Sequence, residues 1–154
     1  MSGRRGSVEP DDEHMARGGK RREPPRTRAL GGEMKAERKA GEIEGAAILA
    51  LSGDSGLSCA GELRETLAVA LDAARELVVD AAAVTDADVS TIQLLCAAHK
   101  TAVKRGKRLE LRHIPEAIGR VARDGGFLRR EGCLQNPDRD CLWLEGGTEW
   151  ANGL

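Results

Sequence analysis

The chain is poor in several things at once. It has no tyrosine, one phenylalanine and two tryptophans among 154 residues. No stretch reaches the ~20 apolar residues that cross a bilayer as a helix. The N-terminus carries no apolar h-region, so nothing there reads as a secretory signal. Both absences point to the cytoplasm. Residues 1–40 hold no Ile, Phe or Trp, and only Val8 and Leu30 among the larger aliphatics. The hydrophobic core must therefore come from residue 41 onward, enough for one small domain of marginal stability.

Chemistry-bearing motifs are missing too. No strand is followed by a Gly-x-x-x-x-Gly-Lys-Ser/Thr or a Gly-x-Gly-x-x-Gly loop. Gly53-Asp54-Ser55-Gly56 is too short to cradle a nucleotide. The three histidines, His14, His99 and His113, fall in a polar tail, on a helical stripe and in a strand, and assemble no nucleophile set. Cys96 and His99 lie three apart on one helical face, yet Cys59, Cys133 and Cys141 stand at no zinc spacing, so Cys96 and His99 read as core. The four cysteines read as free thiols in a reducing compartment, with Cys133 and Cys141 the one pair able to flank a hairpin. The sequence asks for no cofactor, metal or catalytic group.

Charge is uneven. Residues 1–40 carry 11 Lys/Arg against 7 Asp/Glu, net +4, and residues 41–154 carry 13 against 18, net −5. A mildly acidic domain is unsuited to a phosphate backbone, which argues against nucleic acid as its main partner, while the basic N-terminal arm could touch nucleic acid or an acidic surface. Residues 1–33 are rich in Gly, Arg, Pro, Asp and Glu without hydrophobic period, and read as a disordered basic extension. Met34 opens a stretch that resembles a domain start, and Met15 does so less clearly, so residues 1–33 are expected to be dispensable, even an over-extended start.

What remains has a regular order. Lys35–Glu44 is a weak edge strand. Ala46–Ser52 is a short apolar run closed by the 53–56 loop, hence a buried strand. Ser58, a natural N-cap, opens a helix to Ala74 with Leu63, Leu67, Ala70, Leu71 and Ala74 on one stripe. Leu77–Ala82 is a central strand, and Thr85–Val89 turns the chain. A helix from Ser90 to Arg105 buries Ile92, Leu95, Cys96, His99, Ala102 and Val103, and Gly106 stops it. Arg108–Ile114 alternates as a half-buried strand with Leu109, Leu111 and His113 on one face. Pro115 opens a helix to Asp124, and Gly125-Gly126 ends it. In the tail, 127–154, Cys141–Leu144 is a short strand candidate, Phe127 and Trp143 are expected to pack back, and the last residues to fray.

The turn before the second helix is the place to look for function. Ser90 with Gln93 fits a capping box, with Val89 and Leu94 as its staple; alternatively Asp88 is the cap, with Ser90 and Thr91 in the first turn. Either way free N–H groups and a positive helix end lie beside hydroxyls, where a phosphate is well tolerated.

From about Gly41 to Gly126 this pattern resembles a STAS domain, the family of anti-sigma-factor antagonists. The likeness rests on Val79-Asp80-Ala81 at a strand end, Asp88-Val89-Ser90-Thr91-Ile92 with Leu94-Leu95 at a helix start, Leu109-Glu110-Leu111, the Pro115 helix and Gly53-Asp54. It implies an α/β STAS-like fold: a four- to five-stranded, mainly parallel or mixed sheet with helices packed on it, spanning 34–126. It also implies a non-enzymatic module that docks a kinase-type anti-sigma factor or related protein through Ser55, Asp86, Asp88, Val89, Ser90 and Thr91. The alternative is an accessory subunit gripping the ATPase of a lipid or ABC-type transport complex. Ser90 and Thr91 are the candidate phosphoacceptors. Val89, however, stands where switching members carry the phosphorylated hydroxyl, and Thr91 where they carry Gly. The resemblance therefore implies a docking surface more than a phosphoryl switch.

Overall fold

A computed structural model describes residues 32–146 apart from 43, 135 and 137. The expected extension over 1–33, save its last two residues, and the fraying of the last residues lie outside the described residues. Four strands, β1 (Met34–Ala40), β2 (Ala46–Asp54), β3 (Glu76–Asp86) and β4 (Arg108–Arg112), form one sheet in the order β1-β2-β3-β4. β1 runs antiparallel to β2, and β2, β3 and β4 are mutually parallel. Three helices, α1 (Ala60–Ala73), α2 (Val89–Lys104) and α3 (Glu116–Asp124), complete the fold.

The sheet is mixed because β1 reaches β2 by a short turn, whereas the parallel strands need helical crossovers. α1 joins β2 to β3 and α2 joins β3 to β4, each step moving the same way across the sheet. Crossovers of one hand place both helices on one face. Leu49 and Leu51 of β2, Leu77 and Val79 of β3, and Leu109 and Leu111 of β4 point to that face. There they meet Leu63, Leu67 and Leu71 of α1, Ile92 and Leu95 of α2, and Ile118 of α3. The opposite face carries the rows Ile48–Val78–Glu110 and Ala50–Asp80–Arg112 and stays partly open.

Several boundaries differ from the sequence expectation, each for a local reason. β3 runs on through Thr85 and Asp86, which had looked like a turn. Ala81–Ala83 are poor strand formers, but β2 holds them in place. β3 carries two extra residues relative to β2: Ala50 pairs with Asp80 while Ser52 pairs with Ala83, and Gly53 pairs with Val84 while Asp54 pairs with Asp86. Each bulge resets the pleat, so Ala81, Val84 and Ala87 all point inward although they are three apart. α1 begins at Ala60 after a 3-10 turn, Leu57–Cys59, so Ser58 is not its cap. The Ser58 hydroxyl lies against the Cys59 thiol instead. β4 ends at Arg112 because His113 takes a left-handed φ of 51°, which a few per cent of non-glycine residues adopt. That twist takes His113 out of the apolar face, where its Nδ1 meets Asp80, and seats Ile114 in the core. Cys96 and Val103 are only half-buried on α2, whereas His99 is buried as expected and contacts Asp140. Pro115 caps α3 rather than opening it.

The segment after α3 folds back over α2. The expected strand at 141–144 is a single bridge, Leu144 to Arg129. Trp143 is 2% exposed, and its indole Nε1–H donates to the Cys96 sulfur. All four cysteines are free thiols. Burial pushes the Cys141 thiol above its usual pKa, with Cys133 and Cys96 nearby adding to the rise. At neutral pH it is therefore a poor nucleophile. No helix among the described residues is long and apolar enough to cross a membrane.

Trp143→Ala should lower the unfolding free energy by about 3–5 kcal/mol, the usual cost of emptying a buried aromatic site. Urea denaturation of the full chain checks this; a loss under about 1 kcal/mol would mean the C-terminal segment adds little to the core.

Candidate functional site

The candidate site forms where the carboxyl ends of β2 and β3 meet the start of α2, the side of an open parallel sheet where the chain leaves its strands for loops. At its centre is a knot of short-range hydrogen bonds. The Ser55 N–H donates to the Asp86 carbonyl (2.9 Å), continuing the β2–β3 ladder past its last pair. The Thr91 hydroxyl donates to the Ser55 carbonyl (2.6 Å) and lies 3.2 Å from the Ser55 hydroxyl, which is itself 3.2 Å from the Asp86 carbonyl. Ser55 and Thr91 are both 0% exposed. Buried hydroxyls need partners, and these two find them in each other and in the two strand ends.

Asp88 caps α2. Its Oδ1 accepts from the Ser90 N–H (2.8 Å) and from the Ser90 hydroxyl. Thr91, three residues on, returns a bond to the Asp88 N–H. This is a capping box of Asp88 with Thr91, so of the two caps open from sequence the structure selects Asp88 over Ser90 with Gln93. The other carboxyl oxygen, Oδ2, accepts from the Leu57 N–H at 2.7 Å, tying the β2–α1 loop to α2. Partial burial draws the Asp88 carboxyl upward in pKa. The Ser90 hydroxyl and the N–H groups of Leu57, Ser90 and Thr91 outweigh that and hold it below its usual value. Gly56 fits because it lacks a side chain: a Cβ there would stand 2.9 Å from Asp88 Oδ2 and 3.1 Å from Asp54 Oδ1.

The predicted residues thus come together but divide into two kinds. Ser55 and Thr91 are interior fasteners. Asp86 and Val89 are exposed, and Asp88 and Ser90 are half-buried. Asp86 spends one carboxyl oxygen on the Ala87 N–H. Sequence reasoning missed Leu57, which is 74% exposed and gives its N–H to Asp88, the residue before Val89 at 49%. The only signal for Leu57 is a large aliphatic residue between a Gly/Ser loop and Ser58. Asp54, Gly56, Leu57, Ser58, Asp86, Ala87 and Asp88 surround a surface depression of about 230 Å³. Among the described residues no group of three or more His, Cys, Asp or Glu is placed to hold a metal ion.

A family model described as "Mlab, STAS domain" matches residues 41–129. The chain belongs to the STAS domain family. STAS domain proteins are typically non-enzymatic regulatory modules with a general protein-interaction function. The STAS chain is similar in fold to an anti-sigma factor antagonist from Mycobacterium paratuberculosis, with 20% identity and a TM-score of 0.53, over 62% of this chain and 80% of that one. A second solved structure, the anti-sigma factor antagonist SpoIIAA in its unphosphorylated form, overlaps with 12% identity and a TM-score of 0.47, over 73% of this chain and 86% of that one. None of the curated proteins matches.

Removing the cap tests the geometry. Asp88→Ala should cost about 1–2 kcal/mol at neutral pH, read by urea denaturation. The folded carboxyl titrates below its unfolded value of about 3.9. Its contribution is therefore complete above that value and is lost as pH falls through the lower folded one. The stability gap between wild type and Asp88→Ala should stay constant from about pH 5 to 8 and narrow below about pH 4. A gap that widens on acidification contradicts the assignment.

Proposed function

We propose that this STAS protein is an anti-anti-sigma-like interaction module in a bacterial regulatory system, docking a kinase-type anti-sigma factor or related signalling protein through the start of α2. The observation that carries this reading is the exposure of two aliphatic residues tied to the Asp88 cap, Leu57 through its N–H and Val89 as the next residue in the chain. Exposed apolar residues whose backbone is fixed to one capping carboxylate suit a protein contact, and a solvated cap does not need them. Asp86 and Ser90 supply a polar rim.

The contact is constitutive in this reading. Val89 has no hydroxyl to phosphorylate. Thr91 is wholly buried, and its hydroxyl proton is committed to the Ser55 carbonyl. Ser90 is the one hydroxyl of the turn within reach of a kinase, and it donates to the Asp88 carboxylate. A phosphate there would place two anions side by side, against which the α2 N-terminus offers only partial compensation.

The second reading is an accessory subunit that binds the ATPase of a lipid or ABC-type transport complex. Val89 favours it, since such a subunit needs a permanent grip and no phosphoryl switch.

Affinity capture with the full chain, followed by mass spectrometry, separates the two by the class of ATPase recovered. Leu57→Glu and Val89→Glu should each weaken that partner at least tenfold, about 1.4 kcal/mol, with unchanged thermal stability. Phosphate should be absent from Ser90 and Thr91. Recovery of the same partners in the same yield by both variants would sink the docking face.

A further inference from the structure

The face around Leu57 and Val89 has an unusual electrostatic setting. There is no Lys or Arg between Ala40 and Leu63, or between Glu76 and His99. The two segments that build this end of the molecule therefore bring it acids alone: Asp54, Glu62, Asp86 and Asp88. The N-terminal segment has the opposite composition. Residues 17–28 hold six cations, Arg17, Lys20, Arg21, Arg22, Arg26 and Arg28, against one acid, Glu23.

The chain enters the domain at this same face. Gly32 lies against Asp54 so closely that a Cβ on it would stand 2.0 Å from the Asp54 Cβ. Its carbonyl accepts from the Cys59 thiol at 3.2 Å, on the turn that also carries Leu57. Glu33 is equally fixed, because Gly53, at φ 83°, leaves room for the Glu33 carbonyl where a Cβ would stand 2.0 Å away. Arg28 is four residues upstream of Gly32, a span of at most about 14 Å. Leu30, the one large aliphatic nearby, is two residues from the anchor.

We infer that the basic segment Arg17–Arg28 of this same chain covers the Leu57/Val89 face and competes with the protein partner for it. The regulatory part rests on the docking role proposed above; the covering itself does not. Each exposed ion pair is weak and screened over about 8 Å at physiological salt. The anchor at Gly32 compensates, since a short tether gives an effective concentration in the millimolar range. A partner then binds by displacing the arm, and ionic strength or acidity on the partner shifts the balance.

Limited trypsin digestion of the full chain reads the arm directly. At about 0.01 M salt, cleavage after Arg21, Arg22 and Arg26 should be at least about fivefold slower than in a free peptide of residues 1–31. The protection should vanish near 1 M salt. It should vanish also in the Asp54→Asn/Asp86→Asn variant, whose amide oxygens still accept the Gly56 and Ala87 N–H bonds, and should persist in Asp124→Asn on α3. Carbodiimide should join the Lys20 amine to Asp54, Asp86 or Asp88 within one chain, with loss of water. Equal cleavage under all conditions, protection indifferent to Asp54 and Asp86, or Lys20 links found only between chains would overturn the inference. No partner enters these measurements, so they succeed or fail independently of the docking experiment. If both hold, Arg21→Ala/Arg22→Ala/Arg26→Ala should bind the captured partner several-fold more tightly; unchanged affinity would overturn the competition.

Discussion

The hydroxyl of Thr91 holds the working end of this protein together. It donates to the Ser55 carbonyl just past β2, lies beside the Ser55 hydroxyl, and accepts from the Asp88 N–H at the cap of α2. The end of β2 and the start of α2 are thus joined at one buried atom, and the Ser55 hydroxyl carries the link on to the Asp86 carbonyl of β3. The exposed features depend on it. Val89 is aimed outward because Thr91, two residues on, is locked inward. Leu57 is tied to the cap because Asp88, fixed by the same box, accepts the Leu57 N–H. A buried hydrogen bond of this kind contributes about 1 kcal/mol net, but leaving its partners unmade costs more. The face is therefore rigid without being especially stable.

On the reading proposed above, that arrangement lets this STAS domain keep the outline of a phosphoryl switch without its acceptor. The helix start, the acid cap and the loop from β2 are all present. On the same reading, the aliphatic side chain at position 89 makes that geometry a contact surface. Thr91, which at first sight adds a hydroxyl to the turn, has its hydroxyl taken up by structure. Position and burial, more than residue type, separate the two roles.

Much of the fold was legible in the sequence because its periods are clean. The α1 stripe, Ile92, Leu95, His99 and Ala102 of the α2 stripe, and Leu109 and Leu111 of β4 all prove buried, while Cys96 and Val103 are half-buried. β3 was legible only in its first half. Beyond Asp80 its strand character comes from pairing with β2 through two bulges, which no local propensity of Ala81–Ala83 announces. His113 was misplaced for a similar reason: its left-handed φ answers to the turn into α3, while alternation alone predicts an inward side chain. At the site, the sequence named Asp86, Asp88, Val89, Ser90, Thr91 and Ser55 as neighbours but could not sort the buried from the exposed. Two adjacent hydroxyls on a helix differ by a rotation of 100°, and only the position of β2 decides which one turns in. Leu57 was invisible because its meaning comes entirely from Val89 across the loop.

The indole of Trp143 has a consequence for where the domain ends. The family match stops at residue 129, and the one deeply buried aromatic side chain among the described residues lies 14 residues further on, against Cys96 of α2. At the other end, β1 precedes the match yet pairs along its whole length with β2. The cooperative unit is thus wider than the recognisable one on both sides. A fragment cut at the family's own borders would expose one edge of the sheet and the outer flank of α2, the very helix whose first turn presents Val89.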